Sequence, residues 1–179
     1  ALLWFTDLRA NLLRAGFIQN PSDPCVFNKG QPPSQCTAVI HVDDFFATAS
    51  PQCRSALDEL ECTLRKEYGE VAVHDGVVHH YLGMVVDLSV GGEVTITMPE
   101  YVESLLSECE VDGTAKTPAT DQLFEVREEG VLGEQKQVWF RRQVQRQLFL
   151  GKRVRPDLLP VISTLSSRAG KATQGDVEK

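Results

Sequence analysis

Two adjacent carboxylates, Asp43 and Asp44, are the residues whose types and setting point most directly to chemistry. They sit in the middle of an apolar stretch, Thr37–Ala49. Each half is rich in β-branched or aromatic residues and reads as a strand, so the acidic pair is expected at the tip of a hairpin. Along a regular strand, neighbouring side chains point to opposite faces. At a turn two consecutive carboxylates can converge, and converging carboxylates make a divalent-cation site. Asp-Asp is not the favoured two-residue loop, where Asn-Gly or Asp-Gly is expected, which suggests selection for something besides turning. A solvated acidic turn is the alternative, since Asp is a standard turn residue.

Other chemistry-bearing residues are less suggestive. The five cysteines, at 25, 36, 53, 62 and 109, contain no Cys-x-x-Cys pair, and their odd number argues against a disulfide framework. A reducing intracellular compartment is the simpler expectation. His79 and His80 are adjacent in an expected strand and so face opposite ways, and no structural zinc site is indicated. The net charge of −7 hides an asymmetry. Lys136, Arg141, Arg142, Arg146, Lys152, Arg153 and Arg155 fall in one stretch without an acidic residue. Removing those seven leaves eleven basic against twenty-five acidic residues elsewhere, a balance of −14. A local basic block can contact phosphates even in an acidic protein. A solvated charged face packed on its neighbours is the equal alternative.

The elements that must position these residues follow from pattern. At 179 residues, 42% apolar and 24% charged, the chain is globular and long enough for one domain with a real core, or one domain and part of a second. It holds no apolar run long enough to cross a bilayer and no signal sequence, so no membrane partner is expected. The start at Ala1, without Met, is expected to mark a piece of a longer protein.

Residues 2–16 read as a helix with Phe5, Leu8 and Leu12 on one face, stopped at Gly16. A turn-rich segment precedes a short strand, Cys25–Asn28, and Lys29–Ser34 reads as a loop. After the acidic hairpin, Ser50-Pro51 signals a helix start, with Leu57, Leu60, Leu64 and Tyr68 inward and Gly69 as stop. Val71–His74 reads as a short strand. Tyr81–Leu88 and Glu93–Met98 read as a hairpin around Gly91-Gly92, and Pro99 opens a helix with Tyr101, Val102, Leu105 and Leu106 inward. Residues 110–134 read as a long connection. Val138, Trp139, Phe140, Val144, Leu148 and Phe149 predict an amphipathic helix whose polar side carries Arg142 and Arg146. A further helix follows Asp157, and the tail Ala169–Lys179 is expected to be frayed or cut short. The class is α+β, helices on one face of an antiparallel sheet followed by a mainly helical segment.

In this order the motifs resemble the reverse transcriptase domain of copia-type LTR retrotransposons, and the resemblance covers almost the whole chain. Asp23-Pro24-Cys25-Val26-Phe27 is similar to that family's Asp-Pro-Cys-Val-Tyr strand. His41-Val42-Asp43-Asp44 stands at its Tyr-Val-Asp-Asp hairpin, with His41 in place of Tyr. Tyr81-Leu82-Gly83-Met84 resembles the strand that grips the primer, and Tyr101–Leu106 the thumb helix after it. Thr117-Pro118 and the Phe140-Arg141 to Arg155-Pro156-Asp157 element resemble the later motifs.

The resemblance implies a polymerase palm over residues 1–98, thumb-like helices and connection over 99–156, and the start of a link toward RNase H over 157–179. It implies RNA-directed DNA polymerase activity in a retrotransposon polyprotein, with deoxynucleotide triphosphates and an RNA or DNA template-primer as partners. Two Mg²⁺ ions are the implied cofactor, with Asp43 and Asp44 as catalytic metal ligands. His41 is implied near the nucleotide, Tyr81, Leu82, Gly83 and Met84 at the primer, and Arg142, Arg146, Lys152 and Arg153 at nucleic acid. The implied setting is the cytoplasm, a virus-like particle or the nucleus. A third metal-binding Asp, the fingers and their basic residues belong before Ala1, so the chain alone is expected not to polymerise. A degenerate, non-catalytic fragment of the same fold and an unrelated α+β binding module are the alternatives.

Overall fold

The structure is a computed structural model and describes residues 2–109, 113–126 and 130–179. Among these are six α-helices and two antiparallel sheets, and the chain divides into two compact units, Ala1–Asp75 and Gly76–Lys179. The division falls ahead of residue 98, so the strands after Asp75 belong with the later helices.

The first unit begins with α1, Leu2–Arg14, which buries Leu8 and Leu12 one turn apart. Gly16, at φ 85°, lets the chain leave the helix in a left-handed conformation that only glycine adopts without cost. Lys29 Nζ donates to the Ala15 carbonyl at 2.8 Å, satisfying an acceptor that the helix end leaves open. Strands β1, Ile18–Gln19, β2, Val26–Gln31, β3, Ser34–His41, and β4, Asp44–Ala49, form an antiparallel meander in chain order. The expected loop at Lys29–Ser34 is nearly all strand, because Lys29, Gly30 and Gln31 pair with Cys36, Gln35 and Ser34 and leave only Pro32-Pro33 as the turn.

A short 3-10 helix, Pro51–Cys53, precedes α2, Ser55–Tyr68. The Ser50-Pro51 signal thus starts a 3-10 turn, closed by Cys53 N–H on the Ser50 carbonyl at 2.9 Å, and the Ser50 hydroxyl makes no cap bond. On β3, burial alternates: Cys36, Ala38 and Ile40 are inside. They join Phe27 with Leu8, Leu12 and Phe17 from the α1 side and Ala56, Leu60 and Leu64 from α2. Both helices therefore cover one face of the sheet, and each fully buried large side chain contributes roughly 1.5–3 kcal/mol. The two helices are also tied by Tyr68, whose hydroxyl donates to Asp7 and accepts from Asn11, both at 2.7 Å.

In the second unit, β5, Val78–Tyr81, β6, Met84–Asp87, and β7, Thr95–Thr97, form a three-stranded sheet. Val71–His74 is not a strand. It makes no strand pairing between Gly69 and the bend at Gly76-Val77, and pairing begins only at Val78. Helix α3, Pro99–Cys109, buries Leu105 and leaves Leu106 about half exposed. Helix α4, Glu134–Gly151, packs Phe140 and Val144 against Val161, Ile162 and Leu165 of α5, Leu159–Arg168, with Leu123, Leu132 and Ala172 completing the core. Val138 and Trp139 lie off that stripe and are exposed. Of the long connection, residues 110–112 and 127–129 lie outside the described residues.

The tail does not fray. Thr173 and Asp176 cap the short α6, Gln174–Val177, reciprocally, and both are buried. Gln137 of α4 brackets Ala172 by donating to its carbonyl at 2.9 Å and accepting from its N–H at 3.3 Å. These bonds supply the order that the polar sequence of the tail did not suggest. No described helix is long and apolar enough to cross a membrane.

Candidate functional site

The acidic hairpin has the expected two-residue loop, shifted by one residue toward the N-terminus. His41 pairs with Asp44, so Val42 and Asp43 form the two-residue loop and Asp44 is the first residue of β4. Behind the loop the register runs Ile40 to Phe45, Val39 to Phe46 and Ala38 to Ala47. Phe45, Ala47 and Ala49 pack against the helix-side core. Asp44 shares the opposite face with Phe46 and Thr48 by strand alternation, and His41 lies across from it on that face. His41, Asp43 and Asp44 are all exposed.

Val42 has φ 53°, whereas Asp43 keeps a negative φ. Positive φ at the first loop position is a conformation that favours glycine. A β-branched residue in the left-handed region is a real outlier. Such strain persists only where surrounding structure over-determines it, and here twelve register pairs on β3 hold the loop in place: Val26 through Gln31 of β2 on one side, and Cys36 through His41 to β4 on the other. The effect is to carry Asp43 to the tip while Asp44 starts the returning strand.

As a donor set, the two exposed carboxylates suit a hard cation that keeps part of its water shell. Among the described residues, no group of three or more His, Cys, Asp or Glu side chains lies close enough to hold a metal ion. The pair by itself therefore does not complete a two-ion centre.

Tyr81, Leu82, Gly83 and Met84 are brought together in the second unit, but not as a strand. Tyr81 pairs with Met84, and Leu82 and Gly83 form a two-residue loop at φ 51° and 76°. Two positive φ values define the type I′ turn, whose twist matches paired strands, and Gly83 is what permits it. Tyr81, Leu82 and Met84 are half-buried.

The four basic candidates divide. Arg146 is mostly buried, 15% exposed, and turned toward α3: Nη1 is 2.6 Å from Glu108 Oε2, and Nη2 donates to Ser104 Oγ at 2.9 Å. Its guanidinium also lies 5.5 Å from the centre of the Tyr101 ring, and the Tyr101 hydroxyl donates to the Arg146 carbonyl at 3.0 Å. Arg142 reaches the same carboxylate at 3.4 Å but is 66% exposed. Lys152, just past the end of α4, is exposed, and Arg153 stacks on Phe149 with its guanidinium 3.5 Å from the ring centre. A hydrogen bond from Gln143 and the charges of Arg142 and Arg146 hold the Glu108 carboxyl below its usual range despite its partial desolvation.

Glu108 is thus the organiser of the basic helix, and sequence reading passed over it because its partners lie 34 or more positions away. The only signal was the spacing of Arg142 and Arg146, one helical turn apart and able to meet one carboxylate. Gln143 was missed for the same reason. Comparison with protein-family models, curated proteins and solved structures gives no match.

Proposed function

We propose that this chain is the palm and thumb portion of a copia-type reverse transcriptase, acting within a longer polyprotein on an RNA or DNA template-primer. The observation that carries the reading is the acidic hairpin. Its loop holds Val42 at φ 53°, with Asp43 at the tip and Asp44 opening β4. A loop so costly at a position suited to glycine supports a role other than turning. The motif order along the chain agrees with it.

In this reading Asp43 and Asp44 supply two of the carboxylates of a two-Mg²⁺ centre, and a strand outside this chain supplies the third. His41 lies beside the nucleotide, and the Tyr81–Met84 turn contacts the primer. Arg142, Lys152 and Arg153 offer exposed cations to phosphates. The deciding assay is primer extension by the longer protein with and without Asp43→Asn. Loss of extension with folding intact is expected, and equal extension by the variant would refute the ligand role of Asp43.

A non-catalytic fragment of the same fold is the second reading. Its motive is that, among the described residues, the pair is not part of any group of three or more His, Cys, Asp or Glu side chains placed to hold a metal ion. An Asp-bearing strand encoded upstream, needed for extension, separates the two.

A further inference from the structure

Cys36 and Cys53 share one small region behind the acidic hairpin. Cys36, on β3, is fully buried and faces the helix-side core. Its cross-strand neighbours are Lys29 on β2 and Ala49 on β4. Cys53 ends the 3-10 helix that follows β4 and packs against the same core. Its sulfur lies 3.9 Å from the Lys29 carbonyl oxygen and 3.5 Å from where a Cβ on Gly30 would stand. Lys29 is therefore a neighbour of both cysteines, Cys36 across the strand pair and Cys53 through its sulfur. The two also feel each other: after burial, the neighbouring Cys53 is the next cause that pushes the Cys36 thiol up, with Lys29 pulling it down. Cys53 is partly exposed, so reagent can reach the pair from that side.

We infer that Cys36 and Cys53 form an oxidisable thiol pair that a hydroperoxide closes into a disulfide encircling the acidic hairpin. The Cys53 thiolate attacks a peroxide oxygen, the O–O bond breaks, and the leaving oxygen takes a proton to become water or an alcohol. Cys53 is left as a sulfenic acid. The Cys36 sulfur then attacks the Cys53 sulfur, the S–O bond breaks, and the hydroxide leaves as water with the Cys36 proton. Two thiols lose two electrons, and the peroxide gains them. The closed ring contains the whole acidic hairpin, because Thr37–Ala49 lies between the two cysteines. Closure limits the freedom of that segment in the unfolded chain and so favours the folded hairpin.

The sequence makes the test direct. Trypsin cuts after Lys29 and Arg54 and has no site between them, so both cysteines fall in one peptide, 30–54. The full chain is treated with hydrogen peroxide, denatured, alkylated with iodoacetamide and digested. The expected peptide carries no alkyl group and has lost two hydrogen atoms, and dithiothreitol restores two alkylatable thiols. With Cys53→Ser, Cys36 should stay alkylatable after the same treatment. With Cys36→Ala, Cys53 should accumulate sulfenic acid that dimedone traps. If Cys36→Ala does not fold, the Cys53→Ser arm and the native chain still decide. Two alkyl groups on peptide 30–54 after oxidation of Cys62 or Cys109, or Cys36 joined to any cysteine but Cys53, would overturn the inference.

Discussion

Replacing Val42 with Asn should stabilise the first unit, and the size of the gain follows from the backbone. A left-handed conformation costs an ordinary L-residue roughly 1–2 kcal/mol. Asn accepts that region far more readily. Val42 is 66% exposed, so its removal forfeits little burial. The expected gain is about 1 kcal/mol. Val42→Gly removes the same strain but adds unfolded-state freedom worth about 0.5–1 kcal/mol, leaving little net change. The order of stability should be Asn, then Gly, then the native Val. Urea unfolding measures it, in a Trp139→Phe background so that Trp4, with its ring 6.4 Å from Tyr68, reports the first unit. With a slope of about 2 kcal/mol per molar, the Asn variant should shift the midpoint up by roughly 0.5 M. The loop at Leu82-Gly83 is the internal comparison. Leu82 has φ 51°, and Leu82→Asn makes the favoured Asn-Gly pair. That gain should be smaller, because Leu82 is half-buried. A midpoint that falls in Val42→Asn would refute the argument that Val42 is strained. If the loop is under functional selection, Val42→Asn should also lower primer extension in the longer protein while raising stability.

Gly30→Ala should be among the most damaging small changes. A Cβ there would lie 2.3 Å from the Ser34 carbonyl oxygen at φ 85°, so a loss of about 2–3 kcal/mol is expected in the same urea assay. Asp176 is buried, which disfavours its charge, yet bonds from the Thr173 N–H, Lys179, the Thr173 hydroxyl and Arg168 outweigh that and hold its pKa below the usual value. Its contribution is therefore complete above the ordinary Asp pKa of about 3.9 and lost as pH falls below it through the folded value. Asp176→Asn should flatten that acid limb in thermal scans and cost about 2–3 kcal/mol at neutral pH, as charged hydrogen bonds to a buried group are lost. Glu108→Gln releases Arg142 and Arg146 from a shared carboxylate. Single-stranded oligonucleotide should then bind more tightly, with a salt slope steeper by about one charge, as read by fluorescence anisotropy across a salt series.

Local pattern determined much of this protein. Leu8 and Leu12 at helical spacing, Gly16 as a stop and the alternation of Cys36, Ala38 and Ile40 each define a buried face before any partner is known, because periodicity is a property of one segment. The α+β character and the existence of an acidic hairpin were legible for the same reason. The hairpin tip was not. Whether Val42-Asp43 or Asp43-Asp44 turns the chain depends on pairing register, and Ile40 opposite Phe45 selects it through the core both side chains face. The same cause turned Lys29–Gln31 from loop into strand. Only tertiary contact could show that Arg146 answers to Glu108, since a charge on an amphipathic helix carries no mark of what covers it. Only tertiary contact buries Thr173 and Asp176 in a tail of polar composition, because Gln137 and Ala172 meet across 35 positions and order it from outside. What one segment's spacing decides was in the sequence; what depends on which distant segment arrives beside it was decided by the fold.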